Sequence, residues 1–462
     1  MIRNALNDSL PRRRPGDRLL GPGLHRSAAG KLIPDFLGFS AVVLFCFGIL
    51  PPPAYSQAPG VLSLEQRLVL ATGRAVFEKV WVSAPSSTTA SDGLGPLYNA
   101  RSCGQCHPGG GTRRPTLERD DGRLGPALVL HLGEAASTSV YGEQIQGFAV
   151  PGLQAEARLS ISYTEQDIQL PGGDELRLRT PHYRLEALTL GGLETGLGTS
   201  LRLAPVLNGV GLLELVPEAA ILALADPDDG DGDGVSGRAN WLPSASAQPV
   251  LGRFGWKAGQ PDLERQTARA LNLDIGIGNP LFPRPEGDCT AWQQDCLARP
   301  NGNSPRQDDP EASAVLLAQL LFYVRNIPAP GPGDVKADAS VLPDPGAILF
   351  REIGCAACHH SEFVLNDGRR IRPYTDLLLH DMGPGLADHR VEVSASGMEW
   401  RTPPLWGLET GTDSGNYLHD GRAGSVTQAI LWHGGEAEMA KKRFMQLSRP
   451  EREDLLEFLA GV

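Results

Sequence analysis

Two copies of one five-residue pattern constrain this chain more than anything else in it: Cys103-Gly104-Gln105-Cys106-His107 and Cys355-Ala356-Ala357-Cys358-His359. Thiols three positions apart can add across the two vinyl groups of a haem. The adjacent histidine then sits beneath the ring as the proximal iron ligand. A single copy would also fit a redox dithiol. Two copies, each with its histidine, point to two covalently bound haem c groups, held by Cys103, Cys106, Cys355 and Cys358 with His107 and His359 on the irons. The alternative is a structural zinc site built from the four cysteines. The pairs lie about 250 residues apart, however, whereas zinc pairs usually sit within a few tens of residues.

The N-terminus reads as a secretory leader. An apolar run of about 15 residues, Phe36 to Leu50, is short for a membrane span. It follows a basic stretch (Arg12, Arg13, Arg14, Arg18, Arg26, Lys31) and leads into Ala54-Tyr55-Ser56, a small-x-small cleavage pattern. Residues 1–56 are therefore expected to be a signal peptide, with a periplasmic mature chain that has no stable membrane span; an uncleaved anchor is the alternative. Arg12-Arg13-Arg14 is followed by Pro15-Gly16, which is not a twin-arginine signal. The 462 residues, 41% hydrophobic and 21% charged, fit a soluble protein of two or three domains. Removing the leader takes seven basic residues from 42 and three acidic from 54, leaving 35 against 51 and a net charge of −16. That acidity argues against nucleic acid or an anionic membrane as partner and suits a small electron-donor protein of the cytochrome c or cupredoxin type.

The remainder divides into a haem domain at 57–327, a linker at 328–345 rich in Pro, Gly and Asp, and a second haem domain at 346–462. Ser63 to Trp81 has helical apolar spacing and a Ser cap. Glu311 to Ile327 predicts an apolar helix closing the first domain, and Arg449 to Leu459 a capped helix closing the second. Between them, Arg158 to Glu165 and Glu175 to Arg179 alternate apolar and polar around Pro171-Gly172-Gly173, which predicts a β-hairpin. The expected fold is mainly α: two cytochrome c-like haem domains, related by a distant duplication, with a β-rich insertion in the first.

The second axial ligands decide what such a protein does, because an iron closed by two protein ligands shuttles electrons and an open one binds small oxidants. In the second domain the candidates are His360, His380, Met382, His389, Met398, His419, His433, Met439 and Met445. His433 is preferred because Ala429 to Gly435 closes a helix after a loop; Met382 is second. The first domain offers His131 and His182 and no methionine. An open first iron follows, with His131, set between leucines, read as a core residue.

Across the chain, DGLGPLYNARSCGQCHPGGG (93–111 region), VYGEQIQGFAVPG (140–152), GVGLLE (209–214), DGDGVSGRAN (231–240), GRFGWKA (252–258), LLLHDMGPGLAD (377–388), RTPPL (401–405), YLHDGR (417–422) and AILWHGGEA (429–437) resemble the di-haem oxidoreductase family. That family is related to the bacterial di-haem cytochrome c peroxidases and to the di-haem enzyme that matures tryptophan tryptophylquinone. The resemblance implies that electrons enter at the C-terminal haem and that hydrogen peroxide, or another small oxidant, meets the N-terminal one. Peroxidase relatives take a Met or Tyr on the C-terminal haem where this chain has His433, a departure implying bis-histidine ligation and a lower potential. They also hold a carboxylate over the open haem; by position it is Glu214, with Glu218 second, or either is an ordinary helix-start acid. Trp256 is an aromatic relay or a core residue. Arg401 and Arg422 pair with haem propionates or fix loops.

Asp229, Asp231 and Asp233 match the start of a calcium loop, with Asn240 where an EF-hand has Glu. Peroxidase relatives hold calcium between their haem domains, which favours Ca2+ over an acidic turn. Cys289 and Cys296 are expected to form a structural disulfide, their spacing being wrong for a catalytic dithiol. Together these readings predict a peroxidase-like exported di-haem oxidoreductase with Glu214 as acid–base. The alternatives are a non-catalytic electron-transfer cytochrome and an oxygenase or protein-modifying oxidase using the same open haem.

Overall fold

The structure is a computed structural model describing residues 62–118, 123–133, 139–246, 248–303, 310–330, 344–408 and 415–462. The expected signal peptide and most of the expected linker lie outside these residues. Among the described residues no helix is long and apolar enough to cross a membrane.

Capping chemistry sets the main helices. Helix α1 (Leu64–Glu78) starts at Ser63, whose hydroxyl accepts from the Gln66 N–H at 3.1 Å while the Gln66 side chain accepts from the Ser63 N–H at 2.9 Å. Strands β1 (Arg158–Gln169) and β2 (Glu175–Glu186) form the predicted hairpin, in antiparallel register from Arg158↔Glu186 to Gln169↔Glu175. Its turn holds Gly172 and Gly173 at φ +91° and +85°, values only glycine adopts without strain. Helix α2 (Leu263–Asp274) is capped by Asp262, α3 (Ala314–Arg325) by Ser313, and α4 (Pro345–Glu352) by Asp344 with a proline in its first turn. Helix α5 (Val426–Trp432) is capped by Ser425, and α6 (Arg449–Ala460) begins with a Ser448/Glu451 capping box.

The same packing occurs twice. Helix α1, ahead of the first Cys-x-x-Cys-His, crosses α3; helix α4, ahead of the second, crosses α6. A glycine sits at each crossing. A Cβ on Gly73 would lie 2.1 Å from the Gln319 carbonyl oxygen, and one on Gly346 would lie 2.2 Å from that of Asp454. Four residues on, Phe77 and Phe350 each stand 6.4 Å from the motif histidine, His107 and His359 respectively. Phe77 also packs on Tyr323 of α3, and Phe350 on Phe458 of α6. The Gly-x-x-x-Phe spacing thus serves one purpose in both halves: a close helix crossing that sets a tilted aromatic ring against the histidine.

The expectation of a mainly α chain needs correction. About 28% of the described residues are helical, and six two-stranded sheets with long loops make up much of the rest. The physical reason is composition, since 55 glycines and 38 prolines stop helices early and favour turns. The hairpin does not stand apart as an insertion. Its Leu170 and Leu178 pack in the core with Phe350, Leu431 and Leu455. Arg452 of α6 donates to the Pro171 carbonyl at 2.6 Å, and Gln428 of α5 to that of Arg177 at 2.8 Å.

Replacing Gly346 with valine forces the α4–α6 crossing apart and is expected to destabilise the protein by about 1–3 kcal/mol. Urea unfolding checks this, with an exposed substitution at Gly192, which has open space around it and no left-handed backbone, as control.

Candidate haem-binding cavity

Cys103–Cys106 form a single helical turn, which puts both thiols on one side. In the second motif, helix α4 ends on Gly354 at φ +100°, and Cys355–Ala357 make a 3-10 turn. All four thiols are free, and they line one continuous cavity of about 730 Å³ together with His107, His359 and His433.

These three histidines share one arrangement. His107 Nδ1 donates to the Pro205 carbonyl at 2.8 Å, His359 Nδ1 to that of Tyr374 at 2.9 Å, and His433 Nδ1 to that of Ala429 at 2.8 Å. A backbone carbonyl accepts only from N–H, so each ring is fixed as the tautomer with its lone pair on Nε2. Burial pushes His107 and His359 down to about 4 and lowers His433 as well, so all three are neutral at ordinary pH. His359 and His433 line the same cavity. A neutral imidazole oriented through Nδ1 is what metal ligation requires. The donor set, two thiol pairs and three such imidazoles around one largely apolar cavity, fits haem.

Burial also raises all four thiols, Cys103 and Cys355 to about 12, which disfavours thiolate exchange and argues against a redox dithiol. Nor do cysteines and histidines converge as a zinc site would. Among the described residues the grouping with mutually close ligand atoms is Asp229, Asp231 and Asp233, within 4.8 Å of one another. Their oxygens also accept from the loop's own N–H groups, at Gly234, Asp233 and Val235. Asn240 is no part of that cluster: it is buried and donates to the Lys257 carbonyl at 2.8 Å.

Other predicted residues fall on both sides of the cavity wall. Arg401 lines it, with Nε donating to the Gly255 carbonyl at 3.0 Å; burial lowers its guanidinium to about 10. Trp256 lines it too, edge-on to Trp400, which stacks on His419 with centroids 3.9 Å apart. Arg422 does not. Its guanidinium is paired with Asp420 and donates to the Gly385 carbonyl at 2.6 Å, and so fixes a loop. Glu214 is likewise turned away: Arg325 contacts it at 2.6 and 3.0 Å, and it accepts from the Leu263 N–H at 2.9 Å. It ties α3 to the start of α2, and Glu218 is exposed. Cys289 and Cys296 are bonded, as expected.

His380 is spoken for by carboxylates. Asp376 accepts from one ring nitrogen at 2.8 Å and Glu436 from the other at 2.7 Å, with Cys358 Sγ 3.5 Å away. Burial opposes its charge, but these partners outweigh it and raise the imidazolium to about 12. The sequence marked His380 only as a candidate ligand, because Asp376 and Glu436 lie four and 56 residues away.

A family model described as "Di-haem oxidoreductase, putative peroxidase" matches residues 150–462, a span that contains the second motif and begins after the first. No curated protein matches the chain at a significant level. Among solved structures, a xenon-pressurized hydrazine synthase from Kuenenia stuttgartiensis matches at 15% identity over 90% of this chain and 98% of that one. Its TM-score of 0.28 is too low to carry an argument.

Two predictions follow from the placement of these charges. Glu214→Gln is expected to lower stability by about 1–3 kcal/mol and leave the optical spectrum of the loaded protein unchanged. His380, raised from 6.5 to about 12, contributes stability that is complete below pH 6.5 and declines as pH rises towards 12. His380→Gln should therefore destabilise most at pH 6 and progressively less at pH 8 and 10, as measured by urea unfolding.

Proposed function

The chain belongs to the di-haem oxidoreductase family, and on that premise we propose that it is an exported c-type cytochrome that reduces hydrogen peroxide. Each turnover takes one peroxide, two protons and two electrons to two waters. The electrons come from two molecules of a reduced small cytochrome c or cupredoxin, each oxidised by one electron.

The observation that carries this reading is the set of three histidines held through Nδ1 around the cavity that the four thiols line. Cys355, Cys358, His359 and His433 would hold one haem; Cys103, Cys106 and His107 would hold the other. Haem supplies one-electron redox chemistry at iron when bound. His359 and His433 would both serve one haem, whereas His107 alone would serve the haem that meets peroxide. The asymmetry in ligands therefore divides electron entry from peroxide reduction. Leu207, Val210 and Leu213 from the first half and Leu386 and Leu405 from the second give the cavity much of its apolar lining. The buried Arg401 guanidinium offers a partner for a haem carboxylate. In the same reading Asp229, Asp231 and Asp233 hold calcium, a role supported by their converging carboxylates.

The purified holoprotein is expected to carry two covalently bound haems per chain, and Cys103→Ser or Cys355→Ser to remove one of the two thioether bonds at one haem only. Ferric EPR should show one high-spin and one bis-histidine low-spin signal, with peroxide perturbing the former. His433→Ala should abolish the low-spin signal and slow peroxide turnover by about 10–100-fold. Two low-spin haems, unmoved by peroxide even after half-reduction, would make the protein an electron carrier instead.

A further inference from the structure

Away from the cysteines, one corner of the cavity carries an excess of buried positive charge. A short ladder, Leu128–Leu132 against Thr199–Leu203, forms its wall, with Val129 opposite Arg202 and His131 opposite Ser200. Directly opposed residues and those two apart share a face, so Val129, His131, Ser200 and Arg202 project together. Val129, His131 and Arg202 line the cavity, as do Arg390 and Glu392 from the second half. Behind them lie Lys257 and Asp388, both buried. Arg202 contacts Glu392 at 2.7 Å, Arg390 also pairs with Glu392, and Lys257 Nζ donates to Asp388 at 2.8 Å. Three cations thus meet two carboxylates, while burial and the neighbouring guanidiniums keep His131 neutral.

Arg202 Nη2 has no hydrogen-bond partner, although the side chain is only 9% exposed. It forms a long ion pair, 3.8 Å, with Asp388 Oδ2, which also lacks a hydrogen-bond partner, so the surplus is the third cation and not this donor alone. A buried unpaired donor on a cation is costly unless a ligand completes it. We propose that Arg202 and Arg390 form a carboxylate-binding corner, and that its occupant is the acid edge of the haem attached at Cys103 and Cys106.

The chain path favours that occupant. Cys106 Sγ contacts the Pro126 carbonyl, and His107 Nδ1 contacts the Pro205 carbonyl, both at one end of the same ladder. Arg202 is three residues from Pro205, and its partner Val129 is three from Pro126, so each Cα span is at most about 11 Å. The thioether edge and axial ligand would thus lie at the ladder's near end, and the guanidinium further along the same wall. A planar guanidinium suits a carboxylate in a way that an ammonium does not. A free carboxylate entering the cavity presents the same chemistry and is the competing source. The haem assignment rests on the reading above; the anion corner does not.

The test uses the holoprotein with Arg202→Gln and Arg202→Lys. Haem content is counted first, the midpoint potentials are then titrated, and formate binding is followed by calorimetry. With the haem edge as occupant, Arg202→Gln lowers the potential of one haem and not the other, because a positive charge that favours the reduced state is gone. Arg202→Lys recovers part of that shift, and formate does not bind. Saturable formate binding, weakened at least tenfold in Arg202→Gln, would instead assign the corner to a free carboxylate. Two haems with unmoved potentials and no formate binding would overturn the proposal. Should Arg202→Gln not accumulate, the propionate bending bands of Arg202→Lys by resonance Raman serve in its place; unaltered bands and no formate binding overturn it equally. Fewer than two haems would mark failure of the di-haem reading itself, and formate binding would then decide the corner alone.

Discussion

A hydrogen bond from Nδ1 of a histidine to a backbone carbonyl recurs at His107, His359 and His433, and the rest of the site depends on it. Imidazole can be protonated, can present either nitrogen and can rotate. The bond removes the choice of nitrogen and the rotation, and burial removes the charge. The acceptors belong to different parts of the chain. For His433 it is the carbonyl one helical turn back, so orientation comes from α5 itself. For His107 the acceptor lies 98 residues away, at Pro205, so its orientation requires the ladder to be folded. One half can therefore orient its second ligand locally, whereas the other depends on long-range structure.

Long-range dependence also binds the halves together. The β1–β2 hairpin packs into the core around α4, α5 and α6. In the opposite sense, residues 388–392 bring Asp388, Arg390 and Glu392 against Arg202 and Lys257 of the first half. Desolvating so many charges is expensive, and such networks are weak evidence for stability in themselves. Their value here is positional. A segment that holds His380 against Cys358 at one end reaches Arg202 at the other, so both sides of the cavity share one run of backbone. Charge at either edge is felt in a low-dielectric interior, where it acts more strongly than in water.

How much of this could be read in advance follows from the range of each signal. Ser63, Ser313 and Ser448 cap their own helices within three residues, and the hairpin turn needs only its two glycines, so α1, α3, α6 and the hairpin were legible. The Cys-x-x-Cys-His motifs are local by definition, and His433 announces itself by closing α5. Glu214 misled because a carboxylate following an apolar run looks the same whether it faces a cavity or a cation, and Arg325 is 111 residues away. His380, flanked by apolar residues and Asp381, carries no trace in sequence of its partners at 376 and 436. Arg202 sits between two leucines in a strand, the usual place for a solvent-facing charge, and only the folded ladder turns it inwards. Helical content falls short of the expectation for a related reason: the capped helices form, but segments rich in glycine and proline go into small sheets and loops.

The two helix crossings explain how one cavity can hold two unlike sites. Gly73 and Gly346 permit the same close approach, and Phe77 and Phe350 each set a tilted ring against the motif histidine. What differs is everything the crossings do not touch. Beyond the second crossing, α5 supplies His433 to the cavity that His359 also lines. Beyond the first, the ladder supplies Arg202 and a neutral His131 in a wall that also carries Val129 and Ala127. Similar crossings thus hold the motif histidine of each half, and the segments around them decide whether a further imidazole or a polar pocket lines the cavity beyond it. Under the proposed function, that division would let one chain pair a centre suited to holding an electron with one suited to meeting a substrate.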